Sequence, residues 1–292
     1  MSTASFTLGQ PEAFQWCKSL TRRRARNFYY GLKLLPEPRR SALYAIYAWM
    51  RQADDLIDDA TDAATASSQL DQFVQNTSRA LNGSLSSHEP MWLAMSEVAR
   101  CWPLDPEPFS MMIEGQKADL HGHAIETPED LLCYCKQVAS SVGLICIDIW
   151  GHDDQAARDL AIDRGVAFQL TNVLRDLGED LEAGRCYIPA IQLRESHVTR
   201  DDLASWRQVD RCEALVGGWI KIAKDAYDRS APLDSMIDPD CRPTLWAMTS
   251  IYRKLLDRIE QQPRRIVTGP RVQLGPIQKT SIAIQARWMA RS

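Results

Sequence analysis

Two stripes of carboxylates interrupt otherwise apolar helical segments of this chain. The first reads Tyr47-x-x-x-Arg51-x-x-Asp54-Asp55-x-x-Asp58, and the second Asn172-x-x-Arg175-Asp176-x-x-x-Asp180. A helix turns about 100° per residue, so Tyr47, Arg51, Asp54 and Asp58 share one face within about 60°. Asn172, Asp176 and Asp180 share another within about 80°. If the two faces meet across a helical cavity, their oxygens suit hard divalent cations and a polyphosphate. Arg51 and Arg175 add forked donors for phosphate oxygens, and Tyr47 adds a hydroxyl beside an aromatic wall.

Acidic clusters near helix ends are usually solvated. Here, however, Asp54, Asp55, Asp58 and Asp59 sit at a helix C-terminal end, where they oppose the macrodipole unless cations compensate. In the second stripe Gln169, Asn172 and Asp176 fall on one side of an apolar run, and unsatisfied polar groups there cost about 1–3 kcal/mol each. Inter-helix hydrogen bonding explains a single Asn. Three oxygen donors four residues apart fit metal coordination better.

The elements that must carry these residues read as helices. The spacing predicts helices over residues 37–59, 69–82, 90–101, 107–121, 128–150, 153–182, 199–231 and 239–261, with 61–68 as a loop. Ile145 to Ile149 would suit a strand in isolation, but its place in a helix-period segment favours helix. The chain reads as one domain over 1–292, with a core of about 15–270 and a basic tail over 271–292. At 292 residues, with 45% hydrophobic and 25% charged, it is long enough to bury a substantial core. A net charge of −4 argues against a nucleic-acid partner. Eight scattered cysteines without a C-x-x-C pair point to buried free thiols in a reducing compartment. No basic segment followed by an apolar run opens the chain. The most apolar stretch, Val142 to Trp150, contains Asp148 and is too short to span a bilayer. A cytoplasmic protein is expected, with peripheral membrane contact left open. Oligomeric state is not legible.

These residues resemble the squalene/phytoene synthase family, the head-to-head prenyl diphosphate synthases. The likeness runs through four ordered blocks. The first spans Asn27-Phe28-Tyr29-Tyr30 to Asp58. The second is Ile113-Glu114-Gly115-Gln116-Lys117-Ala118-Asp119-Leu120, and the third runs from Tyr134 to Gly143. The fourth runs from Gln169 to Asp180 and closes at Gly184-Arg185-Cys186-Tyr187-Ile188-Pro189. The resemblance implies an all-α isoprenoid-synthase bundle with a central cavity holding two prenyl diphosphates and Mg²⁺, with Mn²⁺ as an alternative ion. It puts the metal ions on Asp54, Asp58, Asn172, Asp176 and Asp180. It puts the diphosphates on Arg51 and Arg175, and Tyr134 and Tyr252 beside the reacting carbons. Tyr47 would join these catalytic groups, and Phe28, Gln169, Val138 and Val142 would contact substrate. Asp119 reads as a support rather than a metal ligand.

Some positions depart from the family pattern. Arg22-Arg23-Arg24-Ala25-Arg26 stands where relatives often carry serines and a histidine. Ser140-Ser141 replaces a common glycine and would narrow or polarise the prenyl tunnel. The basic tail reads as surface, with closure of Arg264 or Arg265 over the diphosphate as the alternative, and His121 and His123 read as structural or solvent-exposed rather than metal-binding. The expected reaction is the condensation of two farnesyl diphosphates to presqualene diphosphate or a squalene-type C30 product. Phytoene synthesis from two geranylgeranyl diphosphates is the alternative, and a non-catalytic binding or assembly relative is the rival from another class. NADPH is not favoured. A head-to-tail synthase would carry two D-D-x-x-D motifs, whereas the second motif here is N-x-x-x-D-x-x-x-D.

Overall fold

Local signals fix where most helices begin. In the computed structural model, which describes residues 8–24, 29, 31–58, 60, 62–120, 124–152 and 154–289, the chain is all-α, with no strand among the described residues. Helix α1 is Pro11–Arg24, α2 Arg39–Asp58, α3 Ala63–Leu81, α4 Pro90–Cys101 and α5 Pro106–Leu120. Next come α6, Pro128–Cys135, a π-helical turn over Lys136–Ser140, and α7, Ser141–Trp150. The long α8 covers Ala156–Glu182, and short α9 (Ala190–Glu195) and α10 (Arg200–Ser205) precede α11, Val209–Arg229. The chain closes with α12 (Leu233–Met236), α13 (Arg242–Gln261), α14 (Arg265–Thr268) and α15 (Pro276–Met289).

Several elements differ from the sequence reading, α1 and α9 among them, since neither is expected as helix. The small polar residues 63–68 are helical, because Asp62 accepts from the Thr65 N–H and caps α3. The segment expected as one helix over 199–231 is two. Trp206 adopts φ 53° and ends α10 with its indole buried, a break that no Gly or Pro announces. The basic tail forms α15, packed on α13 through Ile282 and Ala286. Five of the eight cysteines are buried, and Cys133 is exposed.

The interior divides around α8. One apolar cluster joins α1–α5 and α7, with Trp49 fully buried against Phe73 and Phe109 and its Nε1 donating to Thr77 at 2.9 Å. A second joins α6, α8 and α11. Continuous helix from Pro128 to Trp150 makes a run of 23 residues, long and apolar enough by length and composition to cross a membrane. The run coincides with the helix expected over 128–150, and half of its best window is buried inside the bundle. The run packs closely on α8. A Cβ on Gly165 would fall 2.4 Å from Ser140 Cα, and one on Gly143 would lie 3.2 Å from the Ala161 carbonyl oxygen.

Gly165→Ala is therefore expected to destabilise by about 1–3 kcal/mol, since backbone must shift to admit the methyl. Gly217→Ala, in mid-α11 with open space around it, is expected to be neutral or to stabilise by up to about 1 kcal/mol. Urea denaturation of the two variants against the parent checks both.

Candidate active site

Helix α8 brings polar and apolar requirements together on one element. A cavity of about 210 Å³ runs beside it, lined by Asn172, Gln169, Phe168, Gly165, Arg164 and Ala161 of α8. Opposite stand Val138, Ala139, Val142, Gly143, Cys146, Ile147 and Trp150 of the π turn and α7. Met50 of α2, Leu233 of α12, and Leu245, Met248 and Tyr252 of α13 complete the wall. Asn172 and Gln169 give the cavity one polar end, and the remaining wall is mostly hydrocarbon and aromatic.

The serines expected in this wall are not in it. Ser140 Oγ donates to the Ile162 carbonyl at 2.7 Å and Ser141 Oγ to the Gln137 carbonyl at 2.5 Å, both fully buried. A hydroxyl bonded inside or between helices cannot polarise the cavity. The same turn is wound as π helix, a local widening common at functional sites, and it puts Val138 against Gly115.

The carboxylates lie in guanidinium pairs. Arg175 donates to both Asp176 oxygens, and Arg271 grips the same carboxylate with two bonds of 2.7 Å. Burial pushes the Asp176 acid upward, but the two guanidinium groups outweigh it and hold its pKa below the ordinary value. Burial dominates at Asp180, whose pKa is raised although Arg185 donates to it at 3.0 Å. On α2, Arg51 Nε donates to Asp55 at 2.7 Å, with Asp54 3.8 Å away. Gln116 of α5 also donates to Asp54. Burial lifts the Tyr47 hydroxyl to about 12. The Asp58 side chain, Phe28, Asn27, His121 and His123 lie outside the described residues.

The Tyr134 hydroxyl donates to Asp119 at 3.2 Å and lies 3.4 Å from the Tyr187 hydroxyl, with the two rings stacked at 5.0 Å. Burial, then Asp119, raises its pKa well above the ordinary phenol value, so it stays protonated. Tyr252 packs on Phe168 with ring centroids 4.7 Å apart.

Two observations bear on a divalent ion. Among the described residues no three His, Cys, Asp or Glu side chains converge as a ready cage, since arginines and Gln116 hold the carboxylates. Yet Asn172 Oδ1 is buried without a hydrogen-bond partner, two turns from Asp180 and one from Asp176 on the same helix. An orphaned carbonyl oxygen next to carboxylates is a hard donor set, and the residues fit Mg²⁺.

Comparisons with known proteins agree with this architecture. The squalene/phytoene synthase model matches residues 21–278. The chain belongs to the squalene/phytoene synthase family. It is a prenyltransferase. It is 34% identical over 262 residues to the 15-cis-phytoene synthase of Synechococcus elongatus, covering 86% of this chain and 84% of the relative. It is 32% identical over 265 residues to the phytoene synthase of Arthrospira platensis, again covering 86% and 84%. In structure it is similar to a dehydrosqualene synthase, with a TM-score of 0.84 and 28% identity over 97% of this chain and 98% of that one. It also resembles squalene synthase HpnC from Alicyclobacillus acidocaldarius, with a TM-score of 0.80 and 28% identity over 89% and 96%. The fold is thus the isoprenoid-synthase bundle.

Several residues that meet the expected site residues or line the cavity are not legible in the sequence. Arg271 reads in sequence only as part of a basic tail, yet it meets Asp176, whereas Arg265 donates to Gln262. Tyr187 and Gln116 stood within the matching blocks without a role. Arg164 is buried, donating to Ser230, Thr249 and Asp234, and nothing in its spacing separates it from a surface arginine.

The depressed Asp176 pKa sets a pH dependence. Its pairing contributes stability above the unfolded aspartate value, about 3.9, which is lost as pH falls through the lower folded value. Asp176→Asn is expected to shrink the loss of stability below about pH 4, read as melting temperature against pH in metal-free buffer.

Proposed function

We propose that the enzyme joins two geranylgeranyl diphosphates head to head to give phytoene. The observation that carries this reading is the identity, across most of the chain, to phytoene synthases. It takes precedence over the farnesyl substrate first expected from the sequence. A C15 substrate with a C30 product stands as the second reading, because the dehydrosqualene and squalene synthases share the fold throughout. Phytoene needs no reductant, so NADPH has no part in the main reading.

Asp54, Asp58, Asn172, Asp176 and Asp180 would hold Mg²⁺ or Mn²⁺. Bound there, the ions neutralise charge developing on the departing diphosphate. Arg51 and Arg175 present forked donors to the same oxygens, and Arg271 can exchange Asp176 for phosphate. Loss of diphosphate from one substrate leaves an allylic cation, which the double bond of the second substrate attacks to give, with loss of a proton, a cyclopropylcarbinyl diphosphate; loss of the second diphosphate, rearrangement and loss of a further proton then give phytoene. Tyr134, fixed by Asp119 and Tyr187, and the Phe168–Tyr252 pair offer aromatic faces to positive charge. The hydrocarbon wall keeps water from quenching it. Released diphosphate is the natural proton acceptor, since Tyr134 stays protonated. The exposed Ile277, Ile284 and Trp288 of α15, near Lys279 and Arg287, support peripheral contact with a membrane that receives the apolar product.

Purified enzyme with Mg²⁺ and geranylgeranyl diphosphate is expected to yield a C40 hydrocarbon by mass spectrometry. Tyr134→Phe is expected to keep the fold and lose about 10-fold or more in kcat, in the range of single positioned catalytic groups. A C30 product from farnesyl diphosphate alone would favour the second reading. No product from either, with folded protein, would sink the catalytic one.

A further inference from the structure

The cavity has a second end. Gly165 faces Ser140 while Gly143 faces Ala161, so α7 and α8 run antiparallel. Trp150, at the C-terminal end of α7, therefore lies at the opposite end of the cavity from Asn172. Counting from the Gly165–Ser140 contact, Asn172 is seven residues up α8 and Trp150 ten residues along the other helix. At 1.5 Å per residue the two are separated by about 25 Å along the axes. The indole reaches back toward the start of its helix and shortens this by a few ångströms. With C–C bonds near 1.5 Å, an extended isoprene unit spans about 5 Å, so four units need about 20 Å.

Trp150 is 3% exposed and belongs to one buried apolar cluster with Leu233 and Leu245, and just beyond α7 and α12 His152 pairs with Ile237. Its Nε1–H is buried without a hydrogen-bond partner. A buried indole donor normally finds one, and the side-chain amide oxygens in the cavity wall, on Gln169 and Asn172, belong to the far end. The group that enters such a cavity and can accept weakly from an N–H is an alkene face.

We propose that Trp150 is the chain-length stop of this enzyme and that its indole N–H meets the terminal double bond of the prenyl tail. The inference rests on the prenyl-diphosphate reading above and names the residue that measures the substrate. The ring blocks longer chains, and the N–H distinguishes an unsaturated terminus from a saturated one.

The test uses full-length enzyme with Mg²⁺ and the C15, C20 and C25 prenyl diphosphates, plus a C20 diphosphate hydrogenated at its terminal double bond. Trp150→Ala is expected to raise kcat/KM for C25 relative to C20 by about 10-fold or more. Leu233→Ala opens the same end without disturbing the indole and is expected to shift preference the same way, which keeps the test decisive if Trp150→Ala does not fold. Trp150→Phe keeps most of the bulk and loses the donor. It is expected to retain length preference, lose about 3-fold on the unsaturated C20 substrate, the scale of a weak hydrogen bond, and leave the hydrogenated one unchanged. Folded variants with the parent's length preference would overturn the stop, and equal effects of Trp150→Phe on both C20 substrates would overturn the contact. A parent enzyme inert toward every substrate would instead count against the prenyltransfer reading itself.

Discussion

Carboxylates on the helices that wall a hydrocarbon cavity must be compensated, and this constraint organises the molecule. Half-buried carboxylates are costly unless paired. Here Asp176 shares Arg175 and Arg271, Asp180 takes Arg185, and Asp54 and Asp55 take Gln116 and Arg51. At Asp176 the two guanidinium groups hold the carboxyl below its ordinary pKa, in a position where a more intimate ligand can replace them. Arg271, 42% exposed, can leave Asp176 at little cost. A pair this open to solvent is worth about 0–1 kcal/mol.

Compensation at one end allows a dry wall at the other. Helix α8 carries both, with Asn172, Asp176 and Asp180 in its later turns and Ala161, Gly165 and Phe168 in its earlier ones. Close approach of the opposing helix is what leaves the cavity narrow. Gly165 and Gly143 admit backbone to backbone, and the π turn redirects Val138 toward Gly115 while Ser140 and Ser141 satisfy themselves on carbonyl groups. Binding and exclusion of water thus follow from one helix packed at one distance.

How much of this was legible in sequence depended on whether the signal was local. The acidic stripes and the helices that carry them could be read because 3.6-residue spacing puts Asn172, Asp176 and Asp180 on one face whatever they pack against. The start of α3 was missed because Ala63 to Ser68 reads as a small polar loop, although alanine is a strong helix former and Asp62 a good cap. The partners of the acidic groups were not legible. Arg271 meets Asp176 only through the path of the chain after α14, and Tyr187 reaches Tyr134 across 53 residues. The orientation of Ser140 and Ser141 depends on a π turn, which spacing cannot announce. The end of the cavity at Trp150 is likewise a product of antiparallel packing, since an apolar Trp in an apolar helix looks like any core residue.

The central claim is that the paired carboxylates of α2 and α8 serve one metal–diphosphate site. Calorimetric titration of a non-ionisable thiolodiphosphate analogue of the prenyl substrate, with and without Mg²⁺, tests it most directly in the parent and in the double variant Asp54→Asn, Asp176→Asn. The account predicts Mg²⁺-dependent binding in the parent and a loss of about 100-fold or more in the double variant, equivalent to about 2.7 kcal/mol. Binding that is equally tight in both proteins, or indifferent to Mg²⁺, would contradict it.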